Sequence, residues 1–228
     1  MLIFIILFVT LLVFVFITER KIYNYRKIYL KEYNLSQSLA PSLLYCVTKR
    51  LTDIIISLIV CLTIIPALYI ILGIIIKLTS AGPIIFTQKR IGLFGKEFTC
   101  YKFRSMYQNS SKVIAERDDK RITPIGKFIR KTHLDEFPQF YNILRGDMSL
   151  VGPRPSIDYI IEELAQYPNY SWRPTIRPGL SGLAQINSGR TLSRKRFLEF
   201  DIEYIKIQSW WTDFKIILQT LKFADESY

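Results

Sequence analysis

The pattern of apolar and polar positions divides the chain into two membrane-like stretches and a mixed remainder. Residues 2–17 are apolar apart from Thr10, and Arg20, Lys21, Arg26, Lys27 and Lys31 follow closely. That length is at the short end for a bilayer-spanning helix, and the basic flank marks its C-terminal end as cytoplasmic. No basic residue precedes the run and no small-residue cleavage site follows it, so it reads as an anchor rather than a cleaved signal. A second apolar run extends from Ile54 to Ile76, with Pro66 near its middle. Lys49 and Arg50 lie before this run, with Lys77, Lys89 and Arg90 after it. Basic residues on both sides favour a helix that bends at Pro66 and returns to the same face. A kinked spanning helix is the competing expectation.

Beyond Ser80 the pattern changes. Ile84–Gln88 and Glu97–Phe103 read as a β-hairpin around Gly92 and Gly95. In this reading Lys102 and Arg104 stand near Gln88, Lys89 and Arg90 across the hairpin. Residues 108–123 read as a loop or short exposed helix. Helices are predicted over Lys127–Thr132 and from about Phe137 to Leu144, the second stopping at Gly146. Asp135 is expected to cap that second helix, with Pro138 in its first turn, so that the helix end keeps the carboxylate ionised. The glycine-rich stretch Arg177–Arg190 reads as a loop allowing close backbone approach. Two amphipathic helices are expected near the C-terminus. One places Phe197, Phe200 and Tyr204 at helical spacing; the other places Trp210, Trp211, Phe214, Ile217, Leu218 and Leu221 on one side. Core and bilayer interface are equally good destinations for that second stripe.

Composition narrows the classes. Half of the residues are apolar and the formal charge is +12, from 31 Lys+Arg against 19 Asp+Glu. A basic, apolar chain suits anionic lipid, an anionic substrate, or both. Nucleic acid is disfavoured because no base-reading or stacking motif accompanies the charge. Cys46, Cys61 and Cys100 show no paired spacing, and there is a single histidine, which argues against zinc and a disulfide framework.

The chemistry concentrates in residues 130–155. Asp135 and Glu136 are adjacent carboxylates, set between Arg130 on one side and Arg145 and Arg154 on the other. Carboxylates among guanidinium groups suit phosphate chemistry with a metal, although solvated surface charge would look similar.

A chain of motifs resembles the bacterial sugar transferase family, the monotopic phosphoglycosyl transferases. They are Lys49-Arg50-x-x-Asp53, the apolar run with Pro66, Gly82–Gln88, Arg90, Tyr101–Met106, Asp119-x-Arg121-Ile-Thr123, Leu134–Gln139, Asn142–Ser149, Val151–Pro155, Arg177–Gly179 and Gly182-x-Ala184-Gln185. The resemblance covers Lys49 to about Thr220. It implies transfer of a sugar-1-phosphate from a UDP-sugar to polyprenyl (undecaprenyl) phosphate, with release of UMP. Asp135 is then the nucleophile, and Glu136 completes the dyad and is tied to Mg²⁺. By the resemblance, substrate-binding roles fall on Lys102, Arg130, Pro153, Arg154, Pro155 and Asp201, and Pro66 forms the membrane bend. The basic residues of the hairpin and of residues 130–155 add Arg104 and Arg145 as candidate substrate-binding residues. Departures from the usual pattern are Ile65 before that proline, His133 two residues before Asp135, and one extra residue in Asn187–Arg190.

The resulting expectation is a mainly α protein with a small β-hairpin. A transmembrane helix (1–19) and a juxtamembrane connector (20–48) precede a re-entrant helix-break-helix (49–79) and a compact interfacial catalytic domain with amphipathic helices (80–228). It is expected at the bacterial plasma membrane, with the catalytic domain on the cytoplasmic face. Membrane lipids are its surroundings, and a second copy or downstream glycosyltransferases are the candidate protein partners. Competing expectations are a basic membrane-bound scaffold without catalysis and a polytopic transferase using both apolar runs as spans.

Overall fold

A computed structural model describes residues 2–108, 119–157, 165–167, 169–187 and 193–223. The expected exposed segment 108–123 and the Asn187–Arg190 loop lie largely outside the described residues.

Two long helices begin the chain: α1 (Leu2–Glu32) and α2 (Leu43–Thr79). Each extends past its apolar run. The connector expected from residue 20 therefore starts as continuous helix, because its tyrosines and leucines have a surface to cover. Leu30 is fully buried in the main core, while Ile5 to Ile17 stay mostly exposed. Ser42 caps α2 by accepting from the Tyr45 amide. The helix continues through Pro66 instead of breaking there, since one missing donor does not end the hydrogen-bond ladder. By length and composition α2 can cross a membrane.

Both ends of α2 are fastened to the same globular part. Near the start, Arg50 donates to the carbonyls of Ile143 (2.6 Å) and Leu144 (3.0 Å), and Asp53 accepts from the Leu150 amide (3.0 Å). Lys49 pairs with Asp213 at 2.5 Å. The Lys49-Arg50-x-x-Asp53 motif is thus a set of three fasteners. Near the other end, Leu72 and Ile76 pack against Phe103 and Ile129. The apolar middle, including Ile55, Leu58, Ile59, Leu62 and Ile70, faces outward.

Strands β1 (Ile85–Ile91) and β2 (Glu97–Phe103) form the antiparallel hairpin. Its register places Lys102 opposite Phe86, and Arg90 opposite Phe98. Lys102 and Arg90 therefore stand at opposite ends, which corrects the single basic patch expected there. At the tip Phe94 adopts left-handed backbone (φ 55°), held by ring contacts with Tyr25 and Tyr29 of α1.

Helices α3 (Pro124–Lys131) and α4 (Gln139–Arg145) flank a 3-10 turn, Leu134–Glu136. Gly146 ends α4 in the left-handed region (φ 94°). Short strands β3 (Ser149–Val151) and β4 (Gly179–Ser181) pair in parallel. This pairing was not anticipated in the sequence, and it explains the glycine-rich stretch. A Cβ on Gly179 would lie 2.0 Å from the Gly152 amide nitrogen, so the close approach is backbone to backbone.

Helices α5 (Leu183–Asn187), α6 (Arg194–Ile207) and α7 (Trp210–Phe223) complete the described chain. The buried face of α6 carries Leu198, Asp201, Ile202 and Ile205 together with Tyr204; Phe197 and Phe200 lie at its margin. On α7 the buried residues are Asp213 and Ile216, with Ile217 partly covered. Trp210, Trp211 (62 % exposed), Phe214, Leu218 and Leu221 (72 %) face outward. The expected stripe is real, except for Ile217, and it is turned away from the core.

Candidate active site

Asp135 and Glu136 occupy the 3-10 turn between α3 and α4. His133 opens this turn in the left-handed region (φ 53°, ψ 15°), reversing the chain sharply after α3. Histidine is one of the residues enriched in that conformation. Asp135 therefore does not cap α4; Pro138 holds that position. The expected stabilisation of an ionised Asp135 by a helix end gives way to a different environment.

Glu136 is the anchored member of the pair. Lys102 Nζ lies 2.5 Å and Arg154 Nη2 3.0 Å from the same oxygen, Oε1. Burial by itself would raise the Glu136 carboxyl, but these two cations overcome it and hold the group well below the ordinary carboxylate range. Arg154 is raised in turn, chiefly by Glu136. Asp135 is buried and has no ion-pair partner among the described residues. Burial raises its carboxyl and Glu136 adds to the rise, while Lys102, Arg130 and His133 oppose it. The adjacent acids are thus driven apart: Glu136 is fixed as an anion, while Asp135 is held back from ionisation.

Two frameworks set this geometry. Asn142 on α4 donates from Nδ2 to the Thr99 carbonyl (2.7 Å) and accepts on Oδ1 from the Tyr101 amide (3.1 Å). This locks α4 to β2 beside Lys102. The Pro153-Arg154-Pro155 turn is held from outside by two arginines. Arg90 donates to the Pro155 carbonyl (2.9 Å), and Arg173 donates to the Arg154 carbonyl (2.5 Å) and to Ser156 Oγ. Asp201, only 1 % exposed, lies 2.9 Å from Arg173 Nε, which fixes that guanidinium from behind. Burial raises the Asp201 carboxyl to about 6 despite Arg173. A pocket beside the turn is lined by Arg154, Pro155, Tyr170, Arg173 and Pro178.

The structure gathers Lys102, Glu136 and Arg154 by direct contact, with Asp135 and Arg130 close enough to act on one another electrostatically. Pro153, Pro155 and Asp201 belong to the turn and its support. Two expected members lie elsewhere. Arg104 donates to the carbonyls of Ser80 (2.8 Å) and Ala81 and so closes the end of α2. Arg145, at the far end of α4, pairs with Asp147 at 3.4 Å and lies over the Tyr141 ring. Sequence reasoning missed Arg173 and Asn142 as positioning residues. Asn142 stands in the Asn142–Ser149 motif with nothing local to mark its role, and nothing local distinguishes Arg173 in Trp172-Arg173-Pro174.

Magnesium commonly takes one or two carboxylates and completes its shell with water and substrate phosphates. The buried Asp135 carboxylate, next to Glu136, fits that minimal donor set. No group of three or more candidate side-chain ligands occurs among the described residues.

Residues 44–225 match the family model described as bacterial sugar transferase. Over 192 residues the chain is 40% identical to a UDP-N-acetylgalactosamine-undecaprenyl-phosphate N-acetylgalactosaminephosphotransferase from Aeromonas hydrophila, covering 81% of this chain and 45% of the relative. It is 45% identical over 184 residues to a UDP-glucose:undecaprenyl-phosphate glucose-1-phosphate transferase from Klebsiella pneumoniae, covering 77% and 39%. A galactosyl transferase CpsE from Streptococcus agalactiae is 42% identical over 159 residues, covering 63% and 35%. The chain spans less than half the length of these curated relatives. With four-fifths of its sequence inside the family match, the chain belongs to the bacterial sugar transferase family.

Proposed function

We propose that this protein transfers a sugar-1-phosphate from a UDP-sugar to polyprenyl phosphate and releases UMP, opening the synthesis of a lipid-linked glycan. The observation that carries the reading is the unequal acid pair, with Glu136 held by Lys102 and Arg154 beside a buried Asp135 that lacks an ion-pair partner among the described residues. The activities named for the relatives support the same reaction class.

In the first half-reaction an ionised Asp135 oxygen attacks the phosphorus that bears the sugar. A phosphorus–oxygen bond forms to Asp135, the bond to the UMP oxygen breaks, and UMP leaves with the electron pair. In the second, a phosphate oxygen of the polyprenyl acceptor attacks the same phosphorus. The bond to Asp135 breaks and the carboxylate is regenerated. Splitting one displacement into two gives ping-pong kinetics. A carboxylate held back from ionisation keeps its basicity, and therefore its nucleophilicity, once the proton is lost. Lys102, Arg130 and Arg154 offset charge on the diphosphate and favour the ionised acid. The pocket beside Pro153–Pro155 is the place for the nucleotide. Asp135 and Glu136 would hold Mg²⁺, which when bound would neutralise diphosphate charge.

The membrane arrangement follows the same reasoning. Both ends of α2 are bonded to one globular part while its middle presents apolar side chains, so a bend at Pro66 within the continuous helix would let it enter and return from a single leaflet. The exposed Trp210, Trp211, Phe214 and Leu221 of α7 extend that apolar surface as an interfacial stripe. The catalytic turn then faces the cytoplasm, where nucleotide sugars are available, and lies near the level of the acceptor's phosphate. UMP release across a panel of UDP-sugars, with purified protein in nanodiscs and polyprenyl phosphate, tests the reading. Full activity in Asp135→Asn would refute the assigned nucleophile.

A further inference from the structure

The N-terminal helix does more than border a membrane. Glu19 and Arg26 lie before residue 44, where the family match begins, yet both side chains are buried against the catalytic part. Glu19 is 1 % exposed and receives two bonds from Arg177, at 2.7 and 3.2 Å. Such a forked pair fixes direction as well as distance. Arg177 also donates from Nε to the Gly146 carbonyl at 3.1 Å, closing the end of α4. Its neighbours continue the connection: the Pro178 carbonyl accepts from the Ser149 amide, and the Gly179 amide donates to the Pro153 carbonyl, both at 2.9 Å. Two turns further along α1, Arg26 donates to the Thr175 carbonyl at 2.7 Å. Thr175 ends the 3-10 turn that carries Arg173, the residue bonded to the Arg154 carbonyl.

We propose that α1 is a positioning element of the active site, acting through Glu19 on Arg177 and through Arg26 on Thr175. Together these contacts set the Pro153–Pro155 turn against the α4 end of the acid-bearing segment. Glu19 touches no reacting atom. Its contribution is to hold Arg177, whose guanidinium fastens the end of α4 and whose chain neighbours Pro178 and Gly179 bond to Ser149 and Pro153. Losing the carboxylate leaves Arg177, among the described residues, with the Gly146 bond and removes the force that directs its neighbours. Two strands of three residues each have little ladder of their own to resist that loosening.

The inference rests on the transferase reading for its catalytic consequence but not for its structural one, so two readouts are needed. Hydrogen exchange by mass spectrometry is measured on full-length protein in detergent, for wild type, Glu19→Gln and the milder Glu19→Asp. UMP release is measured on the same preparations. The expected result is faster exchange in peptides spanning 144–152 and 176–182, with peptides over α3 and β2 unchanged. UMP release should fall roughly 10-fold in Glu19→Gln and less in Glu19→Asp, as expected for a small misplacement of catalytic groups. Arg177→Gln combined with Glu19→Gln should be no slower than the worse single variant. Unchanged exchange at 144–152 and 176–182 would overturn the proposal, as would acceleration spread evenly over the whole chain. A wild type that releases no UMP from any UDP-sugar would sink the transferase reading while leaving the exchange result to decide the role of Glu19.

Discussion

Lys102 Nζ lies 2.5 Å from Glu136 Oε1, joining the end of β2 to the turn that carries both acids. Arg154 reaches the same oxygen from the opposite segment, so Glu136 acts as a junction between three pieces of chain. Lys102→Ala should leave Glu136 ionised, because Arg154 remains. It should still slow UMP release by about 10²-fold or more, since a preorganised cation beside the diphosphate is lost. Steady-state rates of purified wild type and variant check this; a loss of less than about 3-fold would place Lys102 outside the charge-stabilising set.

The pH dependence of the first half-reaction follows from Asp135. Its carboxyl is raised by burial and by Glu136, and under the proposed mechanism only the ionised form would attack phosphorus. The rate should therefore fall as pH drops, with the midpoint of the acid limb above the ordinary carboxylate range. Lys102→Ala should move that limb to still higher pH, because Lys102 favours the ionised acid. A pH profile of single-turnover UMP release reads both effects, and an acid limb at or below the ordinary Asp value would contradict them.

Asp201 gives a stability signature of opposite sense from a carboxylate whose ion pair outweighs its burial. Its carboxyl is raised from 3.8 to about 6 in the folded protein. The folded state thus holds its proton more tightly than the unfolded chain does. The associated stability is fully present below about 3.8 and is lost as pH rises through about 6. The change is on the order of 3 kcal/mol at most for so buried a group. Thermal unfolding in detergent between these pH values should show a decline in wild type that Asp201→Asn removes, whatever the variant's absolute stability.

Asn142→Ala should destabilise the protein by about 1–3 kcal/mol by leaving the Tyr101 amide and Thr99 carbonyl without their side-chain partner. It should also lower activity more than a stability loss alone explains, because α4 and β2 are no longer registered beside Lys102. Asn142→Asp keeps the acceptor but loses the donor, and it should fall between the two. Equal activities per folded molecule in all three proteins would remove Asn142 from the positioning framework.

Local pattern made the hairpin, α3, α4 and the Gly146 stop legible, since strand alternation, turn glycines and helix breakers act over a few residues. It also singled out the acids and the Pro153–Pro155 turn. What it could not supply was long-range pairing. The β3–β4 ladder joins three-residue strands far apart in sequence, and neither strand is long enough to show alternation. The same limit applies to Arg104 and Arg145, which looked like members of the basic cluster but serve backbone carbonyls and Asp147. Asp135 was misplaced by one element because His133 takes the left-handed backbone that inserts a 3-10 turn before α4. On α7 the stripe was readable but its direction was not; that depended on Asp213 being drawn inward by Lys49, Tyr45 and Tyr204.

The central claim is that Asp135 carries the phosphosugar between the two substrates. The most direct measurement incubates the protein with a UDP-sugar and no acceptor, then maps the quenched chain by peptide mass spectrometry. The account predicts one equivalent of UMP per active site, and a sugar-phosphate adduct on the peptide containing Asp135 that disappears when polyprenyl phosphate is added. Steady UMP release only when both substrates are present, with no adduct and with activity retained in Asp135→Asn, would contradict it.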